Sequence, residues 1–303
     1  MVKLTRNSFF SFKFKDRIEI TLLIVSFLSV LILSLITIFL FYEGAPAFME
    51  IGTFNLLFGD NWAPFYGRYG AAPLIYGSIM IVVGSLVISI PLGVIAAIFF
   101  AEFIPRWLGD LIKPFIELLA AIPSIIFGFF GLAVLSPIIS DLFGLALGKT
   151  AFTASIVLSI MVVPTIVSIS SEVISSVPND YKRASIALGA THWQTLKNVV
   201  LPTAKLGIVA SILLAFGRAI GETVAVLMVS GAVAKIPVPF WNYFKPVQTI
   251  TGSIALDMGE VPFGSTHYHA LFGLGIVLFV ITFVFNTISD YVMRKAPTAE
   301  VQI

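Results

Sequence analysis

Six apolar stretches, each long enough to cross a bilayer, limit what this chain can fold into more than any other feature. They run over Ile18–Phe41, Leu74–Phe103, Ile112–Ile139, Phe152–Val173, Leu206–Val229 and Ala270–Val292. Spanning takes about 20 apolar residues. Inside lipid every backbone N–H and C=O must find its partner within the protein, so segments of this length and apolarity fold as helices. The sequence therefore predicts an all-α membrane protein with six transmembrane helices. The composition agrees, with 58% hydrophobic and 11% charged residues over 303 positions and a mean hydropathy of +1.02. A soluble domain of this size would carry roughly twice that charge. Pro91 in the second stretch and Pro123 in the third predict kinks that neighbouring helices must satisfy.

Lys and Arg are distributed unevenly between the connections, and that bias sets orientation. Lys3, Arg6, Lys13, Lys15 and Arg17 precede the first stretch. Arg106 and Lys113 follow the second, Lys182, Arg183, Lys197 and Lys205 follow the fourth, and Arg294 and Lys295 close the last. The other side holds only Arg68, Lys149, Lys235 and Lys245. Both termini are thus expected in the cytoplasm of a multi-pass cell-membrane protein. Residues 1–17 form a cytoplasmic segment, 18–292 the transmembrane domain and 293–303 a cytoplasmic tail. Two long loops face outward (42–73 and 230–269) and one inward (174–205). The aromatics of the outward loops, as in NWAPFYGRYGAAP (61–73) and IPVPFWNYFKP (236–246), read either as interfacial anchors or as a docking surface for an external partner. The basic residues are scattered over loops, with a formal net charge of +2, so nothing points to nucleic acid; the chain has no cysteine and hence no disulfide or thiolate site.

The fifth stretch holds two charges, Arg218 and Glu222, inside FGRAIGETVAVL (216–227). A charge at the centre of a membrane helix costs about 2.5–3.5 kcal/mol on insertion scales. Four residues apart, the two would share one helix face and could form a structural ion pair. Alternatively they mark an ion pathway, since intramembrane ionisable residues tend to face a bundle interior or a watery cavity. The guanidinium suits an oxyanion and stays charged, and a nearby carboxylate would keep the anion from being held too tightly. Gly217 and Gly221 form a GxxxG pair, expected to bring a neighbouring helix close.

The inward loop reads SSVPNDYKRASIALGATHWQTLKNVVLP (175–202). Pro178 suits the first turn of a short helix, and Gly189 its end, where a left-handed residue is needed. Thr191 and Gln194 have the spacing of a capping box for a second helix, which Pro202 is expected to stop. The pattern predicts a helical hairpin at the cytoplasmic surface. It also resembles the cytoplasmic "EAA" loop of ABC importer permeases, with Arg183-Ala184-Ser185, then Gly189, then Val199-Val200-Leu201-Pro202. The family's glutamate is replaced here by Arg183, which exchanges a negative charge for a positive one.

Further stretches resemble the phosphate permeases of ABC importers, of the PstC type: FGRAIGETVAV (216–226), AAIPSIIFGFFGLAVL (120–135), WAPFYGRYGAAPLIYGS (62–78) and FVITFVFN (279–286). The resemblance implies a type I ABC importer permease (MetI-like) fold with a cytoplasmic coupling helix over about Val177–Leu188. It implies ATPase coupling through Tyr181, Arg183, Ala184, Ser185, Leu188 and Gly189, and a substrate pathway through Arg218, Glu222 and Thr223. The implied partners are a second permease (PstA-like), a dimer of ATP-binding ATPases (PstB-like) that use the ATP, an external phosphate-binding protein (PstS-like) and membrane lipid. This chain would bind no cofactor itself and catalyse no reaction. Permeases for sulfate or molybdate carry a related signature, usually with Phe in place of Thr223, so another oxyanion, tungstate included, is the nearest alternative. An ATPase-independent secondary transporter or channel is a second alternative, against which the inward loop argues.

GLALGKT (144–150) is one residue short of a P-loop and follows no strand, so no nucleotide site is expected there. His267 and His269 lack a supporting carboxylate cluster and read as part of a polar loop rather than as metal ligands. His192 falls in the cytoplasmic loop. No arrangement of nucleophile, base and carboxylate points to hydrolysis.

Overall fold

The computed structural model describes residues 17–295. The basic N-terminal positions Lys3 to Lys15, and all of the expected C-terminal tail beyond Lys295, lie outside the described residues. Thirteen helical segments follow in chain order: α1 Arg17–Ala47, α2 Thr53–Phe58, α3 Ala72–Glu102, α4 Arg106–Ala121, α5 Ser124–Phe130, α6 Ser136–Phe143, α7 Ala151–Ser175, α8 Asn179–Ala187, α9 His192–Thr195, α10 Leu201–Ile220, α11 Val224–Val229, α12 Ile250–Asp257 and α13 Thr266–Lys295. Two short strands, β1 Trp62–Ala63 and β2 Arg68–Tyr69, pair antiparallel between α2 and α3. Six helical stretches are long and apolar enough to cross a membrane: Ile20–Phe58, Ala72–Glu102, Ser124–Phe143, Ala151–Ser175, His192–Ile220 and Thr266–Tyr291.

The core lies around α7, whose apolar window is 61% buried against none of α1's. α3 packs along α7, and α10 lies against both. Met80, Ile81, Leu158, Met161, Ile166, Ala215 and Ala219 interdigitate there. Lipid tails are as apolar as these side chains, so close packing and buried hydrogen bonds hold the helices together. Gly93 shows the packing term: a Cβ on it would lie 2.7 Å from Ile166, so only glycine lets α3 approach α7 this closely. Ser170 and Ser211 show the polar term, with their hydroxyls 2.7 Å apart between α7 and α10. A second cluster, built on Trp62, Leu74, Ile250, Leu271 and Leu274, joins the connections on either side of β1 and α12 to α3 and α13. A third, with Ala97, Ile174, Leu196 and Val200, closes the opposite end.

Three expectations change. The third stretch is not one kinked helix: Ile122 and Pro123 are extended, with ψ of 131° and 136°, and separate α4 from α5. A proline disfavours helical geometry at the residue before it, and Ile122 takes the extended alternative, so α4 leaves the span altogether. The loop over 174–205 holds one free-standing helix rather than a hairpin. Pro202 does not stop the second helix, because α9 continues through a π-helical turn, Leu196–Val200, into α10. The wider turn accommodates a residue that has no N–H to give to the ladder. The fifth span therefore begins at His192 and ends at Ile220. Pro91, in contrast, lies inside an unbroken α3.

Candidate functional site

The fifth span ends within the signature that holds its charges. Gly221, Glu222 and Thr223 are outside any helix, and α11 resumes at Val224. Arg218 and Glu222 thus do not share a helix face, and no ion pair joins them among the described residues. Arg218 lies in the last turn of α10, where helix carbonyls favour a cation. Its guanidinium reaches two neutral acceptors on two other helices. Nη1 donates to Thr165 Oγ1 of α7 at 3.1 Å, and Nη2 to the Ala120 carbonyl of α4 at 3.0 Å. The side chain is half-buried. A guanidinium has five N–H donors, so three remain to bind an anion.

Glu222 points elsewhere. Its Oε1 accepts from the Ala225 N–H at 3.2 Å and caps the start of α11, while its carbonyl accepts from Thr251 Oγ1 at 3.1 Å. Thr223 donates from its hydroxyl to the Gly221 carbonyl at 3.3 Å. The three residues after Ile220 form a polar break in an apolar span, pinned to α12 through Thr251. Such breaks are tolerated at membrane depth where protein or a cavity satisfies them. Gly217 and Gly221 do not bring a helix of this chain close: a Cβ at Gly217 would meet nothing within 4 Å, and one at Gly221 only carbonyls of its own turn.

Helix α8 ends as its sequence predicts. Gly189 has φ of +85°, its N–H donates to Ile186 O at 2.9 Å, and the Ala190 N–H to Ser185 O at 3.2 Å. These two bonds satisfy the last carbonyls in the Schellman arrangement. Thr191 and Gln194 then form the reciprocal capping box, with N–H to side-chain oxygen distances of 2.8 and 3.3 Å. Pro178 stands just before the first turn rather than inside it. α8 buries none of its residues. Tyr181, Arg183, Ala184 and Leu188 are exposed, Leu188 at 89%. Ser185 instead turns inward to Thr195, hydroxyl to hydroxyl at 2.9 Å. Lys182 reaches the final residue of α3 and donates to Glu102 Oε1 at 2.5 Å, in a pair whose side chains are 20% and 5% exposed. One helix face is thus exposed while the other is tied to the end of α3.

The pairing of Arg218 with Thr165 and Ala120, and of Lys182 with Glu102, lay outside the expectations from sequence. Thr165 follows Pro164 within α7 and is half-buried; a hydroxyl beside a proline in an apolar span is the signal that could have found it. His267 and His269 lie in the first turn of α13 rather than in a loop, each facing one carboxylate. His267 Nε2 is 3.4 Å from Asp257 Oδ2, and His269 Nδ1 is 3.6 Å from Glu43 Oε2 and 2.8 Å from the Glu43 carbonyl. The stretch 144–150 joins α6 to α7, and Thr150 caps α7 through the Thr153 N–H.

Residues 89–296 match the family described as "Binding-protein-dependent transport system inner membrane component". The "Probable ABC transporter permease protein YqgH" of Bacillus subtilis is 38% identical over 264 residues, 86% of this chain and 84% of that one. The "Phosphate transport system permease protein PstC" of Mesorhizobium japonicum is 36% identical over 261 residues, 80% and 79% of the two chains. Its namesake in Haemophilus influenzae is 35% identical over 260 residues, 80% and 81% of the two chains. Among solved structures, a bacterial ABC transporter involved in alginate import superposes with a TM-score of 0.57 at 14% identity, covering 93% of this chain and 100% of that one. An inward-facing MetNI methionine transporter superposes with a TM-score of 0.54 at 19% identity, covering 74% and 94%. At those identities the structures speak to the fold alone.

Proposed function

Because this chain belongs to the inner-membrane components of binding-protein-dependent transport systems, we infer that it is the permease subunit of an ATP-driven importer for inorganic phosphate. The observation that carries the substrate is Arg218: a cation within a membrane span, held by neutral acceptors alone among the described residues. Phosphate is anionic at neutral pH, and a guanidinium matches its oxygens with paired N–H donors. The PstC names of relatives 35–36% identical support phosphate over other oxyanions. The pathway then runs past Arg218 and the polar break at Glu222 and Thr223.

A second permease completes the pore. ATPase subunits dock on α8 through Tyr181, Arg183, Ala184 and Leu188, with Ser185 and Gly189 fixing the helix from behind. They bind and use the ATP, and this chain holds no cofactor. A phosphate-binding protein docks on the outward loops, and both termini lie in the cytoplasm. Movement of α8 passes to the spans through Lys182 and Glu102, because the ion pair joins it to the end of α3.

The test is ATP-driven uptake of labelled phosphate by the complete reconstituted importer, with sulfate and molybdate as competitors. The wild type takes up phosphate and ignores both competitors, and Arg218→Gln assembles but does not transport. Uptake of another oxyanion in its place refutes the substrate, and normal transport by Arg218→Gln refutes the pathway.

A further inference from the structure

Arg218 does not stand alone. Its two acceptors mark the top of a seam between α4 and α7, and the seam stays polar away from them. On α7, Thr165, Ser168, Ser171 and Ser175 recur at helical spacing on one face. On α4, Ala120, Ile116 and Lys113 do the same. Beyond the guanidinium the helices part to form an open cleft of about 380 Å³, lined by Ser168, Ser171, Ser175 and Lys113 and reaching Lys182 of α8. Lys182 is already neutralised by Glu102. Lys113 has no carboxylate within ion-pair distance among the described residues. Glu172 lines the same cleft.

We propose that the α4–α7 seam carries the anion onward from Arg218 and that Lys113 is a second oxyanion station on it. Seven residues along α4 separate Ala120 from Lys113, a rise of about 10 Å, which makes the second station a separate stop. The Ser168 hydroxyl between them can donate to a passing oxyanion and replace part of its hydration, and the Ser171 hydroxyl, which donates to the Ser168 carbonyl at 3.0 Å, can do so by turning from it. A lysine suits the last stop better than an arginine, because its compact, strongly hydrated charge binds an anion without a fixed fork. Glu172 opposes long residence there. The proposal rests on the phosphate-permease reading. Its structural rival is that Lys113 only anchors α4 at the membrane surface, its ammonium reaching the headgroups.

The rival and the proposal part in uptake kinetics. With the complete importer in proteoliposomes and labelled inorganic phosphate outside, Lys113→Gln should lower the maximal uptake rate about tenfold, the order of one charge-assisted hydrogen bond. The external phosphate concentration for half-maximal uptake should stay unchanged, because capture happens on the other side. Lys113→Arg should restore most of the rate. Ser171→Asp, which adds a negative charge to the cleft without touching Lys113, should slow uptake at least as much. Wild-type rates in both Lys113→Gln and Ser171→Asp overturn the proposal, as does equal loss in Lys113→Gln and Lys113→Arg. If those variants are normal while Arg218→Gln is inactive, only the second station fails. If Arg218→Gln also transports normally, the pathway reading beneath it fails too.

Discussion

The Lys182–Glu102 pair allows the link between α8 and the membrane helices to be measured. Exposed ion pairs contribute about 0.2–1 kcal/mol, whereas removing one partner of a buried pair costs about 3–5 kcal/mol, because the other charge is left uncompensated. Glu102 is 5% exposed and Lys182 20%, and their contact is 2.5 Å, so the pair lies between the two limits. Lys182→Met leaves the Glu102 carboxylate alone, and we expect a loss of about 2 kcal/mol in the attachment of α8. That is about a 30-fold shift toward the detached helix. Amide exchange over residues 179–187 should accelerate accordingly, and the reconstituted importer should hydrolyse more ATP per phosphate moved. The double variant Lys182→Met/Glu102→Gln removes both charges and should recover part of the loss, giving a coupling energy of opposite sign to the single effects. Unchanged exchange and unchanged ATP-to-phosphate ratio in Lys182→Met would falsify the coupling role of the Lys182–Glu102 pair. So would a double variant whose loss equals the sum of the two single losses.

Three further outcomes follow from the geometry. Gly189→Ala forces a β-carbon into a φ of +85° and should destabilise the end of α8 by about 1–2 kcal/mol, seen as faster amide exchange at Ser185–Ala190 with the spans unaffected. Glu222→Gln keeps an oxygen for the Ala225 N–H and should transport near the wild-type rate, whereas Glu222→Leu removes the α11 cap and should lose most uptake; equal behaviour of the two refutes the capping role. The phenol of Tyr69 is held above its ordinary value of 10.0 by burial first and by Glu50 second. Its folded state therefore favours the neutral phenol, so its contribution to stability is complete below pH 10.0 and is lost as pH rises through the folded value. Phenolate absorbance in Glu50→Gln should appear at lower pH than in the wild type.

What could be read from sequence followed from local forces. The six spans are legible because lipid leaves the backbone few choices. The end of α8 is legible because Gly189, Thr191 and Gln194 act on their own neighbours in the chain. The break at Gly221–Thr223 was hidden because apolar residues resume at once in α11 and hydropathy sees no interruption. The start of the fifth span was misplaced for a related reason, since a proline normally ends a helix and the π-helical turn before Pro202 absorbs it. Arg218 itself stood out as a charge in an apolar run. Its partners did not, because Thr165 and Ala120 lie 53 and 98 positions away, and only the packing of α4, α7 and α10 brings them to it.

The peripheral place of α1 bears on how the chain is made. α1 packs chiefly on α13, and the bond from His269 to the Glu43 carbonyl joins residues 226 positions apart. During synthesis α1 must therefore wait for α13 before it gains its main neighbour. Throughout that interval the face it later packs on α13 is open to lipid. Bare hydroxyls would leave such an intermediate open to wrong partners, and α1 satisfies its own: Ser29, Ser34 and Thr37 each donate to the carbonyl four residues earlier, while Leu22, Phe27, Val30, Leu33 and Ile38 stay exposed even in the finished fold. That self-contained surface suits the long period it spends without its neighbour.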